Sequence, residues 1–203
     1  MTNNVRLIQK LRNQTGAGIM AVKSALDQAA GDENKAAAIL RKKGEKIAAK
    51  KQAEREAKDG VVDAYIHTSA KVGSMIVLAC ETDFVAKNEQ FKNLAHEIAM
   101  QLAAMRPEYV SPDDVPEDVK EKEMDIYKEQ LKQAGSASSA DKKPTSVTEK
   151  ILEGKMNKFY ASVCLLNQPY IKDDKRTIRD LINEATAKLG EKIEVKQMIV
   201  FTL

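Results

Sequence analysis

Glu81-Thr82-Asp83-Phe84-Val85-Ala86-Lys87-Asn88 is the stretch of this chain whose residue types and spacing point most directly to a job. A large aromatic stands beside an acid. An apolar run, Met75 to Cys80, precedes them and reads as a buried strand; a helical pattern carried by Phe91, Leu94, Ile98 and Leu102 follows. At such a strand-to-helix turn an aromatic can serve as a rigid probe aimed at another molecule. Local physics also offers a plainer use. Thr82 or Asp83 would cap the orphan amides of the first turn, and Phe84 would pack inward as a staple. Loop aromatics beside caps are common, so on local physics alone the cap and staple is favoured.

Other arrangements that do chemistry are missing from the sequence. It has no Walker-type phosphate loop, dinucleotide fingerprint or metal-protease motif. Gly16-Ala17-Gly18 lacks a third glycine, and no strand precedes it. His67 and His96 have no Cys or His at ligand spacing, so no metal site is expected. With two histidines and no evident nucleophile near either, a hydrolytic triad would be forced. The pairs Asp113-Asp114 and Asp173-Asp174 read as solvated turns. The expectation is a binding protein rather than an enzyme, with no cofactor of its own.

The elements that must position the turn follow from periodicity. Three short helical stripes fill the first 45 residues: Val5, Leu7, Ile8 and Leu11; Ile19, Val22, Ala25, Leu26 and Ala29; Ala36, Ala37, Ile39 and Leu40. Gly16 and Gly18, with Thr15 as hinge or cap, mark the first boundary. Gly31-Asp32 marks the second, with Asp32 as N-cap, and Gly44 ends the third helix. Residues 46–59 are rich in Ala, Lys and Glu and read as a linker helix whose charges are solvated. After Gly60 the period changes to that of strands: Val61 to Ile66, then Gly73 to Cys80, joined by a short polar connection suited to a hairpin.

A helix is expected from about Asn88 to Met105, and then a rigid loop at Pro107, Pro112 and Pro116. Helices follow at Glu117–Gln133 and Val147–Leu166, separated by a flexible Gly135–Ala140 connector, with Pro169 ending the second. A last helix over Ile178–Leu189 stops at Gly190, and Ile193 to Phe201 forms a last strand. The fold class is therefore α+β: a three-helix, UBA-like bundle (1–45), a linker helix (46–59), and a core (60–203). That core has a small antiparallel sheet packed by helices, and a helical hairpin. No fixed-period repeat is visible.

Composition narrows the class. Apolar residues make up 43% of the 203, enough for a core, while aromatics are only 4%. A charge of +3, from 33 basic and 30 acidic residues, is too even to make nucleic-acid binding the default. No apolar stretch reaches transmembrane length, and the polar N-terminus lacks a secretory signal. Cys80 and Cys164 lie in apolar runs and read as buried thiols of a cytoplasmic protein, an interchain disulfide being the alternative. Two rival functions remain open at this point. One is ribosome or RNA binding through Lys42, Lys43, Lys46, Lys50, Lys51 and Arg55; the other is a helical scaffold.

Two segments resemble one family. Leu11-Arg12-Asn13-Gln14-Thr15-Gly16-Ala17-Gly18-Ile19-Met20-Ala21-Val22-Lys23-Ser24-Ala25-Leu26 is similar to the N-terminal motif of elongation factor Ts, the guanine-nucleotide exchange factor of bacterial translation. Thr82-Asp83-Phe84-Val85-Ala86-Lys87-Asn88 matches its second motif. Shorter matches at Ala49-Lys50-Lys51, Asp59-Gly60, Pro107-Glu108-Tyr109-Val110 and Glu153 to Phe159 spread the likeness over nearly the whole chain. Ala79 departs from the family's usual Asn, and Ala21 from a common acid.

The resemblance reverses the local reading of Phe84. It implies elongation factor Tu as partner, with Thr82, Asp83, Phe84 and Val85 set against that partner's Mg²⁺ and phosphate site. It also implies docking of the N-terminal bundle through Arg12, Ile19, Met20 and Lys23. With a single sheet unit the chain resembles the family's short form, which tends to form homodimers.

Overall fold

A computed structural model describes residues 2–136 and 145–203. In chain order the elements are helices α1 (Thr2–Thr15), α2 (Ile19–Gln28) and α3 (Glu33–Glu54), then strands β1 (Asp59–Ile66) and β2 (Val72–Cys80). Helices α4 (Asp83–Ala86), α5 (Glu89–Met105), α6 (Glu117–Ser136) and α7 (Thr145–Val163) follow. The chain ends with β3 (Pro169–Tyr170), β4 (Asp173–Thr177), α8 (Ile178–Leu189) and β5 (Glu194–Thr202). Helices combined with small antiparallel sheets make this an α+β protein. It separates into two compact units, Met1–Met105 with Ile178–Leu203, and Arg106–Thr177.

In the first unit, α1, α2 and the first half of α3 enclose a core of Leu11, Val22, Ala25, Leu26, Ala29, Ala36 and Leu40. Thr15 closes α1, its hydroxyl donating to the Leu11 carbonyl at 2.6 Å. Asp32 caps α3 by accepting from the Lys35 N–H at 3.0 Å, as its position after Gly31 predicts. The end expected at Gly44 does not occur: α3 runs on to Glu54. A mid-helix glycine costs about 1 kcal/mol relative to Ala. Here α3 packs along α8, with the Ala187 methyl at ordinary van der Waals distance (3.6 Å) from where a Cβ at Gly44 would stand, so packing outweighs propensity. Gly16 has φ +68° and comes so close to α8 that a Cβ would lie 2.9 Å from the Lys188 Cα. It is therefore a docking point as well as a boundary.

The sheet is antiparallel in the order β1-β2-β5, with the C-terminal strand completing it. Ser74, Ile76, Leu78 and Cys80 share the buried face of β2. Helix α5 covers that face with Phe91, Ala95, Ile98 and Leu102, and the Ser74 hydroxyl donates to the Ala99 carbonyl at 2.6 Å. The opposite face carries Val62 and Ile66 on β1, Met75 on β2, and Ile199 and Phe201 on β5. All five are exposed, and the register aligns Met75 with Ile199.

In the second unit, α6 and α7 pair as a helical hairpin. Gly135 and Ser136, expected in the flexible connector, belong to α6; the rest of that connector lies outside the described residues. The Pro107–Val110 stretch is laced to the end of α7: Leu165 and Leu166 N–H groups donate to the Tyr109 and Val110 carbonyls at 2.9 and 3.0 Å. Asp114 caps a short 3-10 turn, accepting from the Ser111 N–H and hydroxyl at 2.8 and 2.7 Å. Asp173-Asp174 opens strand β4 rather than forming a plain solvated turn, and Pro169 starts β3. Four charged residues in β4 hide any strand alternation from the sequence.

Candidate functional site

Strand β2 delivers the chain to the site, and the site begins where strand pairing stops. Beyond Cys80 the N–H groups of Glu81 and Thr82 leave the sheet. Both donate to one carboxylate oxygen of Glu191, at 3.0 Å each. The Thr82 hydroxyl donates to the other oxygen at 2.6 Å. Thr82 occupies the N-cap position of α4, yet its side chain makes no capping bond. The Glu81 carboxylate in turn accepts from the Lys192 N–H and from the Arg55 guanidinium, the latter at 3.1 Å to each oxygen.

The end of α3 completes this network. The Lys51 ammonium donates to the carbonyl of Gly190, the residue that turns the chain after α8 with φ +81°. The Gln52 amide donates to the Ile193 carbonyl at 2.6 Å, and the Lys192 ammonium to the Gln52 carbonyl at 3.1 Å. Burial pushes the Glu81 carboxyl up, but the Lys192 N–H and the Arg55 guanidinium hold it below its ordinary value. Burial, and next the Arg55 charge, pull the Lys51 ammonium below the usual lysine range. Cys80 lies under this network and its thiol donates to the Thr82 carbonyl at 3.2 Å. Burial, with the Glu191 and Asp59 carboxylates adding to it, pushes that thiol up to about 11.

On this base stands the four-residue helix α4. Its buried residue is Ala86, and Val85 is half-buried. Phe84 lies about 200° around the helix from Ala86, given roughly 100° per residue. It is 82% exposed. The inward staple is therefore overturned: with Ala86 turned in, residue 84 must face out. Asp83 pairs with Lys87 one turn on, at 2.6 Å. The Lys87 hydrogen bond holds the Asp83 carboxyl below its usual range and, reciprocally, Asp83 holds the Lys87 ammonium above its own. The turn thus presents a rigidly based apolar side chain beside a carboxylate.

The second predicted set lies on other elements. Arg12 is exposed in the last turn of α1. Ile19 and Met20 open α2, and Lys23 follows one turn later; all three are exposed, Met20 at 76%. The buried side of α2 is Val22, Ala25 and Leu26, so Met20 is not core. The basic run that suggested RNA is broken up. Lys51 and Arg55 serve the network above, and Lys50 lies 3.9 Å from Glu54. The histidines are apart in the sequence and differ in setting: His67 contacts Ser69, and His96 stands beside Asp63 and Tyr65. Among the described residues no group of three His, Cys, Asp or Glu is placed to hold a metal ion, and no helix is long and apolar enough to cross a membrane.

Comparison with known proteins covers both motifs and the network that carries them. The family model described as elongation factor TS matches residues 5–203. The chain belongs to the elongation factor Ts family. It is 49% identical over 201 residues to elongation factor Ts of Thermodesulfovibrio yellowstonii, covering 99% of this chain and 96% of that one. It is 51% identical over 192 residues to that of Moorella thermoacetica, covering 95% and 91%. Against that of Coprothermobacter proteolyticus it is 46% identical over 203 residues, covering 100% and 99%. Membership in the elongation factor Ts family places the chain among the translation elongation factors.

The two departures from the elongation factor Ts pattern lie in packed positions. Ala21 packs against the bundle core, and Ala79 is buried on β2 opposite Gly60. What the sequence could not reveal is Glu191. It sits 109 positions from Thr82, in a connection with no motif of its own. The signals that were visible are the Lys51 and Arg55 spacing on α3 and the acid at Glu81. They mark three members of the network without showing their partners.

Proposed function

We propose that this chain is a guanine-nucleotide exchange factor that binds elongation factor Tu in its GDP-bound form. In this reading it promotes GDP release and stays bound until GTP enters. The observation that carries the reading is Phe84, 82% exposed on a short turn whose base is hydrogen-bonded to Glu191 and, through Glu81, to Lys192 and Arg55. Burying a phenylalanine side chain in a partner's cleft returns roughly 1.5–3 kcal/mol. That gain favours insertion into a site that GDP and Mg²⁺ hold closed. Phe84 would enter as an apolar wedge and Asp83 would fix the contact, with Thr82 and Val85 flanking. Nucleotide and Mg²⁺ support each other electrostatically, since the ion neutralises phosphate charge. Displacing the loops that hold one therefore loosens both.

The exposed set Arg12, Ile19, Met20 and Lys23 supports a second docking surface on the UBA-like bundle of residues 1–45. Residues 46–59 would set its reach, and residues 60–203 would form the core and the dimerisation region. The uncovered sheet face of Val62, Ile66, Met75, Ile199 and Phe201 supports pairing as a homodimer. Such a factor would work in the cytoplasm, without a cofactor, covalent chemistry or direct nucleic-acid contact. By linkage, whatever factor it weakens GDP binding by, GDP weakens its own binding by the same factor. It therefore speeds equilibration without moving the GDP/GTP equilibrium.

The test is the release rate of a fluorescent GDP analogue from elongation factor Tu, with the intact chain and with Phe84→Ala. Strong acceleration that the variant loses supports both exchange and wedge. No acceleration by the intact chain sinks the exchange reading.

A further inference from the structure

We propose that Glu191 is the positioning residue of the Thr82–Val85 turn, holding Phe84 in its presented orientation from outside the motif. The proposal rests on the exchange reading for its functional half and on geometry alone for its structural half. A four-residue helix cannot sustain itself, because forming a first turn fixes several dihedrals for a single hydrogen bond. The usual local remedy is a side-chain cap, and Thr82 has the hydroxyl for it. That hydroxyl is instead turned to Glu191 Oε1, and the two main-chain N–H groups at the strand exit go to Oε2. One carboxylate therefore satisfies three donors, and all three are charge-assisted bonds of the stronger kind.

Nothing in the packing of Phe84 can replace this hold, since its ring is almost wholly in solvent. Glu191 itself is fixed from behind. It follows the turn at Gly190, which Lys51 grips, and precedes Lys192, whose N–H is held by Glu81. The conformation of the exposed tip thus depends on a residue that lies outside the Thr82–Val85 motif.

The experiment pairs two readouts on the full chain and its Glu191→Ala and Glu191→Gln variants. Amide hydrogen exchange, read on the free protein, reports the hold directly. Glu191→Ala is expected to speed exchange at Glu81 and Thr82 by about tenfold or more, the scale of losing a charge-assisted bond. The amides of α5 should be unchanged. Gln keeps an acceptor oxygen and should fall between. Unchanged exchange at these two amides in both variants overturns the proposal whatever the activity shows, and the gentler Gln variant keeps this arm usable if Ala impairs folding.

The second readout is stimulated GDP release from elongation factor Tu as a function of factor concentration. A positioning role lowers the maximal rate, by about tenfold for Ala, while the half-saturating concentration moves little, because docking does not depend on one side chain. Faster amide exchange with an unaltered maximal rate overturns the positioning role. If the intact chain fails to stimulate release, it is the exchange reading that falls; the amide arm still decides the clamp.

Discussion

Glu81 and Glu191 clasp each other's segments. The Glu191 carboxylate accepts the Glu81 N–H, while the Glu81 carboxylate accepts the N–H of Lys192, the residue next to Glu191. Two connections 110 positions apart are joined by an exchange of side chains for main chain. Arg55 adds a charge to one half of the clasp, which gives it a pH signature.

The Glu81 carboxyl is held below its ordinary value of 4.5, since the Lys192 N–H and Arg55 outweigh the opposing effect of burial. A group whose folded pKa is lowered stabilises the fold fully above its unfolded pKa. That contribution is lost as pH falls through the folded value. The clasp should therefore be intact at neutral pH and weaken as pH falls below that ordinary value of 4.5. Urea midpoints measured across the acid range should fall less steeply for Glu81→Gln than for the parent chain. An equally steep fall in both would show that Glu81 does not carry the acid sensitivity.

Phe84→Ala should separate stability from function. An exposed side chain away from caps and core typically changes stability by no more than about 0.5 kcal/mol. The urea midpoint of the variant should match that of the parent. Its stimulation of GDP release should fall by about tenfold or more, the loss expected for a residue whose main contact forms on insertion. Equal midpoints with equal release rates would leave Phe84 without a role.

That variant also marks how far the sequence could be read. Periodicity located the longer helices because each pairs an apolar face with a polar one, as Phe91, Ile98 and Leu102 do on α5, whereas the two hairpin strands showed as short apolar runs, Val61 to Ile66 and Gly73 to Cys80. The turn at Phe84 was harder. A cap with an inward staple and an outward probe share the same local sequence, and only the burial of Ala86 decides between them. Gly44 misled because propensity is local while the packing of α3 on α8 is not. Hairpin β3–β4 was hidden because its charged strand has no apolar alternation, and Glu191 because its partners lie more than a hundred positions away.

Cys80 should be inert toward thiol reagents in the native state. It is fully buried, and its thiol is pushed up to about 11, so little thiolate exists at pH 8. Modification by a disulfide reagent, followed by peptide mass analysis, should be slow in buffer and fast in urea. Rapid native labelling at Cys80 would show that the strand exit opens readily.

Val62→Asp tests the homodimer. Val62 is 62% exposed at the edge strand of the uncovered sheet face, so a charge there should leave the monomer fold intact. Across a face-to-face pairing the same charge would be buried without a partner, which is strongly unfavourable. Sedimentation should show the parent as a dimer and the variant shifted toward monomer, with the two giving the same circular dichroism. A parent that sediments as a monomer at micromolar concentration would rule out this pairing.

Gly60→Ala should strain the sheet at its closest approach. The two strands pair Gly60 with Ala79, and an added Cβ would stand 2.2 Å from the Leu78 carbonyl oxygen and 2.8 Å from the Ala79 Cα. Both are main-chain atoms of the central strand, which cannot turn aside as a flexible side chain can. Neither can β2 retreat, since β5 holds it on the other edge and α5 covers its buried face. The clash should therefore destabilise the fold by about 1–3 kcal/mol, the range for overpacking a close-packed site. It should lower the urea midpoint without changing the slope, because the surface exposed on unfolding is unaltered. Ala79 lies two residues before Glu81, so part of the strain should reach the clasp as faster amide exchange at Glu81 and Thr82. A variant with an unchanged midpoint would mean that β1 and β2 stand further apart at this point than the register of Gly60 and Ala79 requires.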